Sequence, residues 1–205
     1  MIHPFILRRL KKDVLDLPEK SEEVISIQLE GEQRKVYDAY AERLRLYLEN
    51  KSDAEFKESK LEILAELTKL RQICCGPGLI LDKFKGSNAK MEACMKFVEA
   101  FDKDEVPVFI ISLKAGGTGL NLTAADIVIH YDPWWNVAAQ NQATDRAHRI
   151  GQNNNVTVFK LVAEKTIEEQ IVKLQDTKAQ LAEDILSGEE VSTTTFNKEE
   201  LLALL

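Results

Sequence analysis

Three short apolar runs without polar alternation constrain this chain most: Val106 to Ser112 (VPVFIIS), Ile127 to Tyr131 (IVIHY) and Val156 to Val162 (VTVFKLV). A strand that is apolar at every position is buried on both faces, which happens in a parallel sheet covered by helices. Helical patterns separate the runs, at Val137 to Ile150 and again at Thr166 to Ile185. The wiring is therefore α/β.

The first half of the chain reads differently. SEEVISIQLE alternates polar with apolar at Val24, Ile25, Ile27 and Leu29, predicting a strand. From Glu32 to about Leu48, the positions Val36, Tyr40, Leu44 and Leu48 form one helical stripe. A second helix is predicted from about Ala54 to Cys75, ended by Gly76-Pro77-Gly78. The spacing of Met91, Cys94, Met95, Val98 and Phe101 predicts one continuous helix from Lys90 to about Asp102. A Ser/Gly/Thr-rich stretch leads to a short terminal helix, NKEELLALL, with Asn197 as its cap. The segments divide as 1–89, a strand with a helical extension; 90–186, the α/β part; and 187–205, a tail.

Bulk composition narrows the setting. The chain is 205 residues long, 44% hydrophobic and 30% charged, ordinary values for a globular protein. No apolar run is long enough to cross a bilayer, and the first residues lack the order of a secretory signal, so a cytoplasmic location is expected. Cys74, Cys75 and Cys94 fit a reducing compartment, with the vicinal pair in the core and no zinc-ligand spacing. A net charge of −7 opposes tight, self-sufficient nucleic-acid binding, leaving only a local contact surface.

The chemistry concentrates in two places. On a helix from Val137 to Ile150, Gln142, Arg146 and Arg149 fall at i, i+4 and i+7 and would share one face. Asn136 and Gly151 would close its ends, and Asp145, His148 and Gln152 form a neighbouring stripe. Two guanidinium groups on one face suit an oxyanion, because they stay charged and grip phosphate oxygens in a fork. A solvated helix with incidental arginines is the bland alternative. Upstream, Lys114-Ala115-Gly116-Gly117-Thr118-Gly119 leaves the carboxyl end of an expected strand, where open α/β sheets bind ligands. Its glycines would let the backbone approach a phosphate, although it is not a GxxxxGK[ST] loop. Both features then point at one carboxyl-edge site.

Together these stretches resemble the second RecA-like lobe of Swi/Snf-family motors within helicase superfamily 2. ISLKAGGTGLNLTAADIVIHYDPWWNVAAQNQATDRAHRIGQ, from Ile111 to Gln152, is similar to that family's motifs V and VI. HPFILRRLKKDV, LTKLRQICCGP and VFKLVAEKTIEEQI extend the resemblance over nearly the whole chain. The fold it implies is an incomplete RecA-like parallel sheet flanked by helices, with an N-terminal helical extension. By the resemblance, Arg146 and Arg149 would be catalytic, one as an arginine finger toward ATP held by a first lobe. Gln142, Gly117 and Gly119 would contact nucleotide. Lys114, Gly116, Thr118 and Asn121 would contact the DNA backbone.

The resemblance also shows what is missing. No GK[ST] loop or DExH stretch is present, so ATP and Mg²⁺ would belong only to a complete motor. Glu99 runs directly into Ala100 where the family carries further strands and a helix. Gly76 and Val137 replace the usual His and Pro. The chain is thus expected to be inactive alone, to touch duplex DNA weakly and without sequence preference, and to need a separate first-lobe polypeptide. The alternative is a non-catalytic module that complements or inhibits such a lobe. No membrane partner is expected.

Overall fold

The computed structural model describes residues 17–101, 108–113, 120–133, 137–175 and 198–205. Three parallel strands form its sheet in the order β1 (Lys20–Ile27), β3 (Val156–Ala163), β2 (Ile127–His130). The sheet draws on both sides of the sequence division at residue 89, because β1 pairs along its whole length with β3. Central β3 is the most deeply buried strand, with Val156, Leu161 and Ala163 at 0% exposure. Edge strand β1 is polar and mostly exposed, which blunts a free edge. Its Glu22 forms an ion pair with Lys160 across the sheet at 2.8 Å.

Helices supply the rest of the core. They are α1 (Gly31–Glu49), α2 (Asp53–Glu58), α3 (Lys60–Cys75), α4 (Ala89–Phe101), α5 (Val137–Thr144), α6 (167–175, as far as it is described) and α7 (Lys198–Ala203). Helix α1 buries Gln33, Tyr37, Ala41, Leu44 and Leu48. The expected stripe is thus shifted by one residue in its first half, with Val36 and Tyr40 on the partly buried flank. A stripe more than 100° wide tolerates that shift. These residues pack on Ile63, Leu67, Leu70 and Ile73 of α3, on Ile167 and Ile171 of α6, and on Leu201 of α7. Each buried aliphatic side chain contributes about 1.5–3 kcal/mol. Tyr37 links the layers by accepting the Ile167 amide at 2.7 Å.

The structure corrects several expectations. The single helix expected from Ala54 to Cys75 is broken at Ser59. Ser52 and Glu55 form a reciprocal capping box on α2. The Ser59 hydroxyl donates to the Glu55 carbonyl at 2.6 Å, a local bond that competes with helix continuation. Helix α4, by contrast, runs unbroken through Glu99 and Ala100 as expected. Lys90 is fully buried and Phe97 stacks edge-on against Phe159 of β3 at 4.7 Å, leaving Met91 and Met95 about half exposed.

Residues 108–112 form no strand, and Val108, Phe109 and Ile110 are 60%, 65% and 91% exposed. An apolar run becomes a buried strand only when a neighbouring strand and two covering layers receive it. None does so among the described residues.

Helix α5 stops at Thr144 instead of continuing to Ile150. Beyond it the chain forms tight turns, with Ala147 bonded to Thr144 and Gln152 to Arg149. Gly151 sits in one of them at φ 101°, a conformation that only glycine adopts without strain.

Candidate nucleotide-facing site on the arginine turn

The sheet has two edges, and they differ. At the carboxyl edge, the Lys90 ammonium lies 2.6 Å from both oxygens of Glu168, with both side chains at 0% exposure. Glu168 also accepts the Ala163 amide at the end of β3. Burial pushes the Glu168 carboxyl above its usual range, against the pull of Lys90 and of that amide. Lys90 also faces the Tyr131 ring at 5.2 Å. Tyr131 and Asn88 both donate to the Cys75 carbonyl. Arg71 pairs with Asp132 at 2.6 Å. Gln33 donates to the Ile73 carbonyl and accepts the Ala89 amide.

This edge is therefore filled by its own side chains. Cys75, Asp132 and Glu168 place donor atoms within 4.8 Å of one another. A cation does not fit there, because Arg71 and Lys90 already neutralise the two carboxylates, and burial pushes the Cys75 thiol up to about 12.

The amino edge is built by the turn that follows α5. A crossover between parallel neighbours must return the chain from the end of one strand to the start of the next. Residues between α5 and β3 therefore sit at the strand starts. The bonds place them there. The Arg146 carbonyl accepts the Leu122 amide at 3.0 Å, and Gln152 Nε2 donates to the carbonyls of Ala125 and Ala147. His148 Nε2 lies 2.8 Å from the Pro18 carbonyl, just ahead of β1. Ala147 closes a small core with Val156 and Val158.

Arg146 and Arg149 share this turn in different environments. Arg146 is only 7% exposed, and its Nε and Nη1 have no hydrogen-bond partner among the described residues. Arg149 is exposed. A buried guanidinium with idle donors is costly unless an anion reaches it. The expectation that Gln142, Arg146 and Arg149 share one helical face is corrected, since only Gln142, exposed, remains on α5. The expectation that the two arginines sit at the carboxyl edge is corrected with it.

Asn121 is exposed and adjoins Leu122, whose amide is bonded to the turn. Lys114, Gly116, Gly117, Thr118 and Gly119 lie outside the described residues. The segment after them does meet the turn, because a side chain on Gly151 would start 3.9 Å from Thr123. His148 and Gln152 were legible only as a polar stripe beside the arginines, and their anchoring role needed the fold. Lys90 and Glu168 carried no signal.

The family description "Helicase conserved C-terminal domain" matches residues 46–151, and "SNF2-related domain" matches residues 1–79. The chain belongs to the Swi/Snf family of helicase superfamily 2, as a C-terminal lobe. Its sheet and covering helices are the RecA-like fold of that lobe. YwqA of Bacillus subtilis (strain 168), which carries an ATP-dependent helicase/translocase name, is 35% identical over 265 aligned positions that take in 100% of this chain and 28% of YwqA. The Swi/Snf lobe thus spans about a quarter of that relative's length. The SWI2/SNF2 ATPase core domain of Sulfolobus solfataricus superposes with a TM-score of 0.64 and 30% identity, over 100% of this chain and 53% of the core. The same organism's core in complex with dsDNA gives 0.62 and 32%, over 91% and 51%. No helix among the described residues is long and apolar enough to cross a membrane.

Proposed function

We propose that this lobe supplies the arginine half of a composite ATP site in a DNA-translocating motor and hydrolyses no ATP by itself. The observation that carries this reading is Arg146: a nearly buried guanidinium with two idle donors, on the same turn as exposed Arg149. That pair fits the oxygens of a phosphate brought to the amino edge by another polypeptide segment. Arg149 would act as the finger that meets charge developing on the γ-phosphate, and Arg146 would brace the same oxygens. Gln142 would orient the nucleotide from α5. Gly117 and Gly119 would add backbone contacts to it. Lys114, Gly116, Thr118 and Asn121 would track the DNA backbone.

ATP and Mg²⁺ would be held mainly by a first lobe, since no phosphate loop or DExH stretch occurs in the sequence. The long alignment with YwqA supports an internally shortened lobe, because 265 positions are spanned by a chain of 205 residues. Free cysteines at 74, 75 and 94 fit the reducing cytoplasm. Contact with duplex DNA would be weak, blind to sequence and weakened steeply by salt. The idle donors equally favour a second reading, a non-catalytic module that occupies the arginine side of a separate ATPase lobe and complements or inhibits it.

An ATP-turnover assay with duplex DNA tests the reading. The lobe alone is expected to give no turnover above buffer, and mixing it with a first-lobe polypeptide carrying the phosphate loop and DExH motif should change that lobe's rate. DNA-stimulated turnover by the isolated chain would contradict it.

A further inference from the structure

We propose that His148 and Asn155 lock the segment leading into β1 onto the arginine turn, so that the two move as one body. The proposal rests on the reading above, in which the arginine turn faces a phosphate held by a first lobe.

Two side-chain bonds make the lock. His148 Nε2 reaches the Pro18 carbonyl at 2.8 Å, and the Glu19 amide donates to Asn155 Oδ1 at 3.1 Å. A carbonyl only accepts, so His148 must carry its proton on Nε2. Pro18 has no amide hydrogen, which leaves its carbonyl as the group by which it is held. Between the two bonds, the Val156 amide donates to the Glu19 carbonyl at 2.9 Å and continues the β1–β3 ladder outward.

Ladder pairing alone would reach no further than the Glu19 carbonyl. The side-chain bonds extend the attachment past the strand, joining residues 130 and 136 positions apart. The same turn grips one more segment, ahead of β2, at two points: through the Arg146 carbonyl to Leu122 and through Gln152 to Ala125. A displacement of about half an ångström at Arg146 or Arg149 would therefore strain the bonds to Pro18 and Glu19. His148 and Asn155 are positioning residues, which act through the arginine turn by tying it to the path of the preceding chain.

Hydrogen exchange read by mass spectrometry on this chain, without nucleotide or DNA, tests the lock apart from the motor reading. In the unaltered chain, peptides covering residues 17–20 and 145–152 should open together. His148→Ala should accelerate exchange in both by about 2–10-fold, the loss of one hydrogen bond. His148→Gln, which keeps an N–H donor, should restore most of the protection. Asn155→Ala should accelerate the Glu19 amide. Ser52→Ala, which removes the α2 cap, should leave both peptides unchanged and report any general loosening. Acceleration at 145–152 without a change at 17–20 would overturn the proposal, as would no change in either, or a His148→Gln variant that behaves like His148→Ala.

Discussion

Replacing Lys90 with methionine is expected to remove about 3–5 kcal/mol of stability, because it strands Glu168 as an unpaired carboxylate at 0% exposure. The two oxygens of Glu168 each lie 2.6 Å from Nζ, and neither group has water to fall back on. The pair also joins elements far apart in sequence. Lys90 opens α4, while Glu168 opens α6 and caps the end of β3 through the Ala163 amide. Small domains hold only about 5–15 kcal/mol in total, so such a loss brings the lobe to the edge of unfolding. Urea denaturation of Lys90→Met reads the effect as a fall in midpoint. The double variant Lys90→Met/Glu168→Gln should recover most of the loss, since glutamine removes the stranded charge and keeps an acceptor for the Ala163 amide. If the double variant were as unstable as the single one, packing around Lys90 rather than charge would be the cause.

Arg149→Ala is expected to slow ATP turnover of a lobe-complemented motor by about 10³–10⁵-fold, the range for loss of an arginine finger. Lysine at this position should rescue little, because one ammonium does not reproduce a planar fork. Arg149 is exposed, so the isolated lobe should keep its stability within about 0.5 kcal/mol. Arg146→Met separates the two arginines. Turnover should fall with it too, yet the isolated lobe should become no less stable, because a buried charge with two idle donors has been replaced by an apolar chain of similar length. Steady-state turnover and urea midpoints on the same preparations check both. A marked loss of stability in Arg146→Met would mean that its guanidinium already has a structural partner.

Why these effects were only partly visible in the sequence follows from the kind of signal each leaves. Strands β2 and β3 were legible to within one residue, because unbroken apolar runs report burial on both faces. VFIIS at 108–112 carried the same signal, but a strand is a property of its neighbours as well as of its residues, and among the described residues no strand lies beyond β2. The polar alternation of β1 identified a strand without revealing that it pairs with a partner 136 residues later.

Helix α5 looked longer than it is because the arginine spacing fits helical periodicity, and the turns that replace it keep nearly the same local bonds. Placing the arginines at the carboxyl edge was an error of topology rather than of pattern. Any residue just ahead of a parallel strand lies at the amino edge, and β3 begins at Val156. The Lys90–Glu168 pair was invisible, since 78 residues separate two charged side chains that look like surface residues.

Hydrogen-exchange mapping of this lobe with and without a nucleotide-loaded first-lobe polypeptide tests the central claim most directly. Protection is expected at the amino edge, in peptides covering residues 120–126 and 145–152, and should be lost in Arg149→Ala. Protection confined to the carboxyl edge, in peptides covering 130–133 and 163–168, would contradict the placement of the arginine turn against the nucleotide.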